Sequence, residues 1–211
     1  MVQVLPAELI KQGQQTISGN VMGLVPGNGS LTPRFILVGE APGATEVTAQ
    51  QPFTGRAGVE LDKSLTQLGV TRADIFITSA YHSRPFRVVT KTHKRTGATY
   101  QKMDNRPPTK RELMRQAFLL DYELAHLPTD LILTIGNVGL QRLLGPTYRV
   151  GAVHGQLLTG PIQRYDTAKK VFVPTQKHYR VMPTFHPAAV FYNRQIQADL
   201  TADLAQFKQL L

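Results

Sequence analysis

The hydrophobic positions of this chain form short continuous runs, and segments with helical spacing separate these runs. The runs at residues 35–38, 75–78, 131–135 and 179–184 predict strands that are buried on both faces. Apolar residues at helical spacing predict helices over residues 57–68, 110–126 and 138–144 and near the C-terminus. Strands that alternate with helices predict an α/β fold, in which helices cover a parallel sheet on both faces.

Two segments have a less regular pattern. Residues 153–158 predict an edge strand or part of a hairpin. Residues 84–105 have a weak period and carry a cluster of cations, with Asp104 as their only acid. This composition predicts an exposed basic loop or hairpin. Thr109, followed by Glu112, has the spacing of a capping box and marks the start of the next helix.

Composition adds a prediction about the partner. The 211 residues, of which 42% are hydrophobic, suit one domain of ordinary size. Lys and Arg number 24 against 14 acids, a formal net charge of +10 that favours a polyanionic partner, most often nucleic acid. A basic surface that serves only solubility is the alternative. The chain has no Cys, which excludes disulfides, thiolate metal sites and cysteine-ligated iron–sulfur clusters.

The sequence also predicts where the protein acts. The N-terminal residues lack the pattern of a signal peptide, and no apolar run approaches the roughly 20 residues that span a bilayer. We therefore expect a cytoplasmic protein that is not attached to a membrane.

Two short polar loops carry the candidate chemistry. Loop 39–43 (Gly-Glu-Ala-Pro-Gly) and loop 186–189 (His-Pro-Ala-Ala) each follow a predicted strand. Ligands of open α/β sheets bind outside the carboxyl ends of the strands, so both loops are expected to face one pocket. Loop 39–43 matches neither a Walker A loop nor a dinucleotide fingerprint, and a simple glycine turn is the alternative.

A third segment and the histidines refine this picture. Residues 51–58 place Phe53 beside Pro and Gly residues and a basic helix start, where its ring is able to stack on a flat ligand. A core aromatic is the alternative. The histidines other than His186 show no metal-ligand spacing, so we expect no metal.

Five segments, in this order, resemble the uracil-DNA glycosylase superfamily and, within it, the family-four type. They are loop 39–43, Pro-Phe-Thr-Gly-Arg-Ala-Gly at 52–58, Phe-Ile-Thr at 76–78, Arg-Pro at 84–85 and loop 186–189. The resemblance implies a three-layer α/β/α sandwich with a central parallel four-stranded sheet. It implies a single domain over residues 1–211, with a basic insertion at about 86–106. It also implies hydrolysis of the N-glycosidic bond of a damaged base in DNA, uracil above all, for base-excision repair.

The resemblance and the reaction together suggest roles for the residues of the loops. A base inside a duplex is unreachable and must be flipped out. Phe53 is expected to stack on the flipped base, and His186 to donate a hydrogen bond to the base oxygen that gains charge. Backbone N–H groups near Glu40 and Ala41 would assist. Glu40 and Glu46 are the candidates for handling the attacking water.

Further residues are expected to contact the base or the DNA. Gly43, Arg56 and Ser79 complete the predicted base pocket. The predicted phosphate contacts are cations of the insertion, namely Lys91, Lys94, Arg95 and Lys102. Val190 or Phe191 is expected to enter the base stack as a wedge. We expect the protein to act on DNA as a monomer, without a metal or other cofactor.

Three positions depart from the pattern of the resembled family. Family-four members ligate an iron–sulfur cluster through cysteines, and Ser83 occupies the position of one of them. Ser79 matches an Asn that reads the base edge, and a hydroxyl cannot make the same paired hydrogen bonds. Ala41 occupies the position where other branches carry an Asp or Asn that handles water, although family-four members also have a small residue there.

Two other functions stay open at this point. One is a catalytically inactive nucleic-acid-binding module on the same fold, which the Ser79 substitution favours. The other is a different α/β hydrolase that acts on nucleotides and uses loop 39–43 as an anion site.

Overall fold

The computed structural model describes residues 3–191 and 193–211. Its α-helices are α1 (Ala7–Gln15), α2 (Ala44–Ala49), α3 (Arg56–Leu68), α4 (Lys110–His126), α5 (Asn137–Leu144), α6 (Val150–Val153) and α7 (Ile196–Lys208). Its strands are β1 (Val21–Met22), β2 (Asn28–Gly29), β3 (Ile36–Gly39), β4 (Phe76–Ser79), β5 (Arg84–Thr92), β6 (Thr99–Asn105), β7 (Leu131–Ile135), β8 (Leu158–Asp166) and β9 (Val171–Thr184). Two 3-10 turns lie at Arg72–Asp74 and Pro187–Phe191.

The main sheet of the described residues has six strands in the order β2-β4-β3-β7-β9-β8. The inner strands β4, β3, β7 and β9 run parallel, whereas β2 and β8 pair antiparallel at the two edges. The prediction of a four-stranded parallel sheet is therefore wrong for the sheet as a whole. It missed the edges because β2 has only two residues and because β8 is mostly half-buried or exposed, without a continuous apolar run.

Residues 153–158 do not form the predicted edge strand. Val153 ends α6, and the edge strand β8 begins only at Leu158. Gly155 lies between them with a φ of 71°, and its N–H donates to the Pro183 carbonyl oxygen at 2.9 Å. A Cβ at this position would stand 2.6 Å from an Asp203 carboxylate oxygen. The chain therefore turns here, because only a residue without a side chain fits this left-handed conformation.

Apolar side chains cover both faces of the sheet, as the alternation of elements predicts. Successive strand residues point to opposite faces. The cluster on the α3 and α7 face includes Phe35, Leu37, Leu61, Leu65, Ile77 and Phe207. The cluster on the α4 face includes Ile36, Val38, Phe76, Leu120, Leu124 and Ile132. Helices on both faces leave the carboxyl ends of the inner strands as the place for polar loops.

The basic segment at residues 84–105 is a β-hairpin. Strands β5 and β6 pair antiparallel from Phe86 opposite Asn105 to Thr92 opposite Thr99. Arg106, directly after the hairpin, forms hydrogen bonds to both carboxylate oxygens of Glu112, at 2.7 and 2.8 Å.

Glu112 also closes the predicted capping box with Thr109 at the start of α4. The Arg106 guanidinium holds the pKa of Glu112 at about 2. The base of the hairpin is thus fixed to the start of α4.

We expect Gly58→Ala to lower the free energy of unfolding by about 1–3 kcal/mol, the usual cost of overpacking a tight site. A Cβ on Gly58 would stand 1.9 Å from the Phe53 carbonyl oxygen, which is backbone and cannot rotate away. Urea unfolding measures the change. Gly151→Ala is the matched control, because its Cβ meets nothing within 4 Å. Equal losses in the two variants would contradict the predicted clash.

Candidate active site

A cavity of about 680 Å³ opens at the carboxyl ends of three inner strands of the sheet, β4, β3 and β9. Ala41 follows β3, Ser79 ends β4 and His186 follows β9, and all three residues line the cavity. Gly43, Phe53 and Arg56 line it as well. The two loops predicted to face one pocket therefore do so.

The imidazole of His186 has a defined protonation pattern. The backbone N–H of Ala188 donates to its Nδ1 atom at 3.2 Å, so Nδ1 is an acceptor. A neutral ring then carries its proton on Nε2. Burial lowers the pKa of His186 below its ordinary value, which favours this neutral form near pH 7. His186 therefore brings one uncharged N–H donor to the cavity wall.

Phe53 fits both descriptions that the sequence left open. It is only 9% exposed and belongs to the apolar cluster under α3, yet it also lines the cavity. Its ring centroid lies 6.0 Å from that of His186. A Cβ on Gly39 would stand 2.5 Å from the tip of the Phe53 ring, so this loop needs glycine there.

Arg72 holds the backbone of Phe53, a role that sequence reasoning missed. Its guanidinium donates to the carbonyl oxygens of Pro52 and Phe53 at 3.2 and 2.6 Å and to an Asp62 carboxylate oxygen at 2.6 Å. Phe53 has a φ of 56°, which is uncommon for a bulky residue and is kept only where its surroundings fix it. No local pattern signals this contact, because Arg72 lies beyond the end of α3.

The carboxylate of Glu46 is engaged by backbone amides. Its oxygens accept hydrogen bonds from the N–H groups of Gly43, Thr54 and Gly55 at 3.0, 3.1 and 2.8 Å. It thus ties loop 39–43 to the segment that carries Phe53. These bonds give Glu46 a structural role; because it also lines the cavity, its suggested role in handling water stays a prediction.

Glu40 is the other candidate for handling water. Its backbone oxygen accepts a hydrogen bond from the Tyr81 N–H at 3.1 Å, which fixes the end of β3. Burial raises the pKa of the Glu40 carboxyl above its ordinary value and makes the carboxylate more basic. Glu40 is not among the described residues that line the cavity, whereas its neighbour Ala41 is.

The surroundings of Ser83 do not fit an iron–sulfur cluster. The side chain is fully buried and accepts a hydrogen bond from Nε2 of Gln116 at 2.8 Å. The same Nε2 atom donates to Oγ1 of Thr16 at 2.9 Å and lies 3.4 Å from the carbonyl oxygen of Gly13. Protein side chains therefore fill the space beside Ser83, and the chain has no thiolate to ligate iron.

The structure separates the predicted phosphate contacts into two groups. Lys91 and Lys102 lie 3.5 and 2.7 Å from carboxylate oxygens of Asp104, and Lys102 also lines the cavity. Lys94 and Arg95 lie in the exposed turn between β5 and β6, where neither has an ion pair with any residue that the structure describes. The turn thus carries two accessible cations.

The two candidate wedges also differ. Val190 packs against the apolar cluster under α3. Phe191 is 47% exposed, and the guanidinium carbon of Arg56 lies 5.0 Å from its ring centroid. Phe191 is the more accessible of the two and is held beside a cavity residue.

Two kinds of feature are absent from residues 3–191 and 193–211. No cluster of three or more His, Cys, Asp or Glu residues is arranged to hold a metal ion. None of the helices described there is both long and apolar enough to cross a bilayer.

We expect Glu46→Gln to lower the free energy of unfolding by about 1–3 kcal/mol, because the new NH₂ group would face backbone donors and leave them unsatisfied. Urea unfolding at pH 7 is the measurement. Glu60→Gln on α3 is the matched control, since the Glu60 carboxylate forms an ion pair with the exposed Lys63 and accepts no backbone N–H among the described residues. Unchanged stability together with lost base release would instead assign Glu46 to water handling.

Comparisons with known proteins agree with this geometry. The family model described as the Uracil DNA glycosylase superfamily matches residues 26–208. A type-4 uracil-DNA glycosylase of Pyrobaculum aerophilum is 30% identical over 187 residues, which cover 87% of this chain and 81% of the relative. The type-4 uracil-DNA glycosylase of Saccharolobus solfataricus is 29% identical over 192 residues, covering 89% and 76%. That of Archaeoglobus fulgidus is 27% identical over 190 residues, covering 88% and 81%.

Proposed function

Because the chain belongs to the uracil DNA glycosylase superfamily, we propose that it hydrolyses the N-glycosidic bond of a damaged base in DNA, with uracil as the first substrate, in base-excision repair. The observation that carries this proposal is the hydrogen bond from the Ala188 N–H to Nδ1 of His186, which leaves Nε2 as the donor of a neutral ring that lies beside Phe53 at the cavity.

The first step is entry of the base. A base inside a duplex must be flipped out, at a cost of a few kcal/mol. The cavity between loop 39–43 and the hairpin receives it, and stacking on Phe53 offsets part of that cost. The Glu46 and Arg72 contacts hold the Phe53 segment in place, so the ring is ordered before the base arrives.

The second step is cleavage. As the glycosidic bond breaks, negative charge develops on an oxygen of the departing base. The Nε2–H of His186 donates to that oxygen, and its hydrogen bond strengthens as the charge grows. A neutral imidazole donates this hydrogen bond without the positive charge by which a protonated ring would attract DNA phosphates before the reaction.

The third step is attack by water on the sugar, which has oxocarbenium character. Glu40 is the carboxylate proposed to orient this water and to balance the positive charge. Its raised pKa supports a role as a base, because a more basic carboxylate accepts a proton more readily.

The surface of the protein supports binding to DNA. The net charge of +10 favours a polyanion, and Lys94 and Arg95 in the hairpin turn have no carboxylate partner among the described residues. Phe191 is the proposed wedge that fills the gap left by the flipped base. Action as a monomer in the cytoplasm remains a prediction.

A panel of oligonucleotides that carry uracil, hypoxanthine, xanthine or a mismatch tests the proposal, with base release as the readout. Release of uracil supports it. Binding of DNA without release of any base would favour an inactive binding module. Release of phosphate or nucleoside from free nucleotides, without DNA, would favour a nucleotide hydrolase.

We expect His186→Ala to lower the single-turnover rate of base release by about a hundredfold, the usual loss for one such donor, with little change in DNA affinity. The rate of the unchanged protein should stay level as the pH falls through 6.5 and decline only below the lowered pKa of His186. Rates at several pH values and a binding isotherm provide the test. Lost binding with an intact rate at saturation would remove His186 from the chemistry.

We expect the double substitution Lys94→Gln and Arg95→Gln to weaken binding to all duplex sequences alike. The slope of log binding constant against log salt should fall by about 0.9 for each lost phosphate contact. Lys169→Gln with Lys170→Gln, in the turn between β8 and β9, removes the same charge at the other hairpin and is the matched control. An equal change in both double variants would mean that net charge, not the β5–β6 turn, sets the binding.

A further inference from the structure

Asn105, the last residue of β6, brings an amide to the cavity that the proposed reaction does not use. Its Nδ2 atom lies 3.0 Å from the position that a Cβ on Gly43 would take. The amide therefore reaches from the hairpin to the loop that follows β3. Lys102 of the same strand also lines the cavity, and Asn105 is the only carboxamide among the described lining residues.

The orientation of this amide is fixed by Arg84. Nε of Arg84 donates to Oδ1 of Asn105 at 2.7 Å. Because a guanidinium can only donate, the atom that faces it must be the oxygen, and this settles which way the amide points. Nδ2 has no acceptor among the described residues, so its N–H groups are free for a ligand.

Arg84 is itself held firmly. Only 6% of the residue is exposed, and its Nη2 atom donates to the Met103 carbonyl oxygen at 2.8 Å. A buried cation with several partners cannot rotate without losing them. Asn105 therefore presents a positioned donor, in contrast to the hydroxyl of Ser79, which can donate or accept and does not discriminate between the two.

A fixed donor distinguishes two kinds of base. Deamination replaces the exocyclic amino group of cytosine, adenine or guanine by a carbonyl oxygen, which gives uracil, hypoxanthine or xanthine. A carbonyl oxygen accepts from Nδ2, whereas an amino group would meet it donor to donor and leave both unsatisfied.

We propose that Asn105 is a specificity-determining residue, whose Nδ2 reads the carbonyl oxygen of a deaminated base in the cavity. This inference rests on the proposed function, since it requires a flipped base at that place.

The test compares Asn105→Asp with Gln101→Glu. Both substitutions turn an amide into a carboxylate on β6, but Gln101 is not among the described residues that line the cavity. In Asn105→Asp one oxygen still accepts from Arg84, and the group that faces the cavity becomes an acceptor. The readout is the ratio of dissociation constants for two oligonucleotides with a 2′-fluoro sugar that blocks cleavage, one with uracil and one with cytosine.

We expect Asn105→Asp to reduce the preference for uracil about tenfold, the ratio that corresponds to one hydrogen bond of about 1.4 kcal/mol. The single-turnover rate on cleavable uracil should fall with it, and Gln101→Glu should leave the preference unchanged. An unchanged preference in Asn105→Asp, or equal losses in both variants, would overturn the proposal.

The binding readout also separates this proposal from the proposed function. If the unchanged protein prefers uracil in binding but releases no base, the proposed reaction is wrong. The uracil preference of Asn105→Asp, compared with that of the unchanged protein, then still tests the assignment of Asn105. If it releases uracil and Asn105→Asp keeps the preference, the reaction stands and the assignment of Asn105 is wrong.

Discussion

The carboxylate of Glu46 is the contact on which the arrangement of the cavity depends. It accepts hydrogen bonds from backbone N–H groups of loop 39–43 and of the segment before α3. These bonds join two stretches of chain that belong to different elements. Charged acceptors form stronger hydrogen bonds than neutral ones, and these amides have no helical partner of their own. Arg72 secures the same segment from its other side.

The contacts of Glu46 and Arg72 position the segment that carries the ring of Phe53. The ring lies against Gly39 at the end of β3 and 6.0 Å from the imidazole of His186 at the end of β9. The site thus combines a stacking surface with one donor, and burial lowers the pKa of His186 and so favours the uncharged form of that donor. A neutral donor beside a stacking ring suits a reaction in which charge on the base appears only in the transition state.

The hairpin of β5 and β6 is the most distinctive part of the molecule. Near its base, the Ser83 hydroxyl and the Gln116 carboxamide form a buried hydrogen bond, in surroundings that hold no thiolate. Farther along, the hairpin supplies Asn105 and Lys102 to the cavity wall. The segment that the sequence marks only as basic therefore carries accessible cations in its turn and contributes the Asn105 amide to the cavity.

The sequence by itself determined the features that depend on near neighbours or on strand ends. The apolar run at β7, the capping box of Thr109 and the two loops that face one cavity all follow from such patterns, whereas the pattern of the basic segment fits a loop as well as a hairpin, and only the pairing of β5 with β6 decides between them. Tertiary structure alone decided the edge strands β2 and β8, the structural role of Glu46 and the place of Asn105 beside Gly43. The reason is physical: a pattern of polar and apolar residues reports burial and local geometry, whereas a hydrogen bond between distant residues depends on the path of the chain in space.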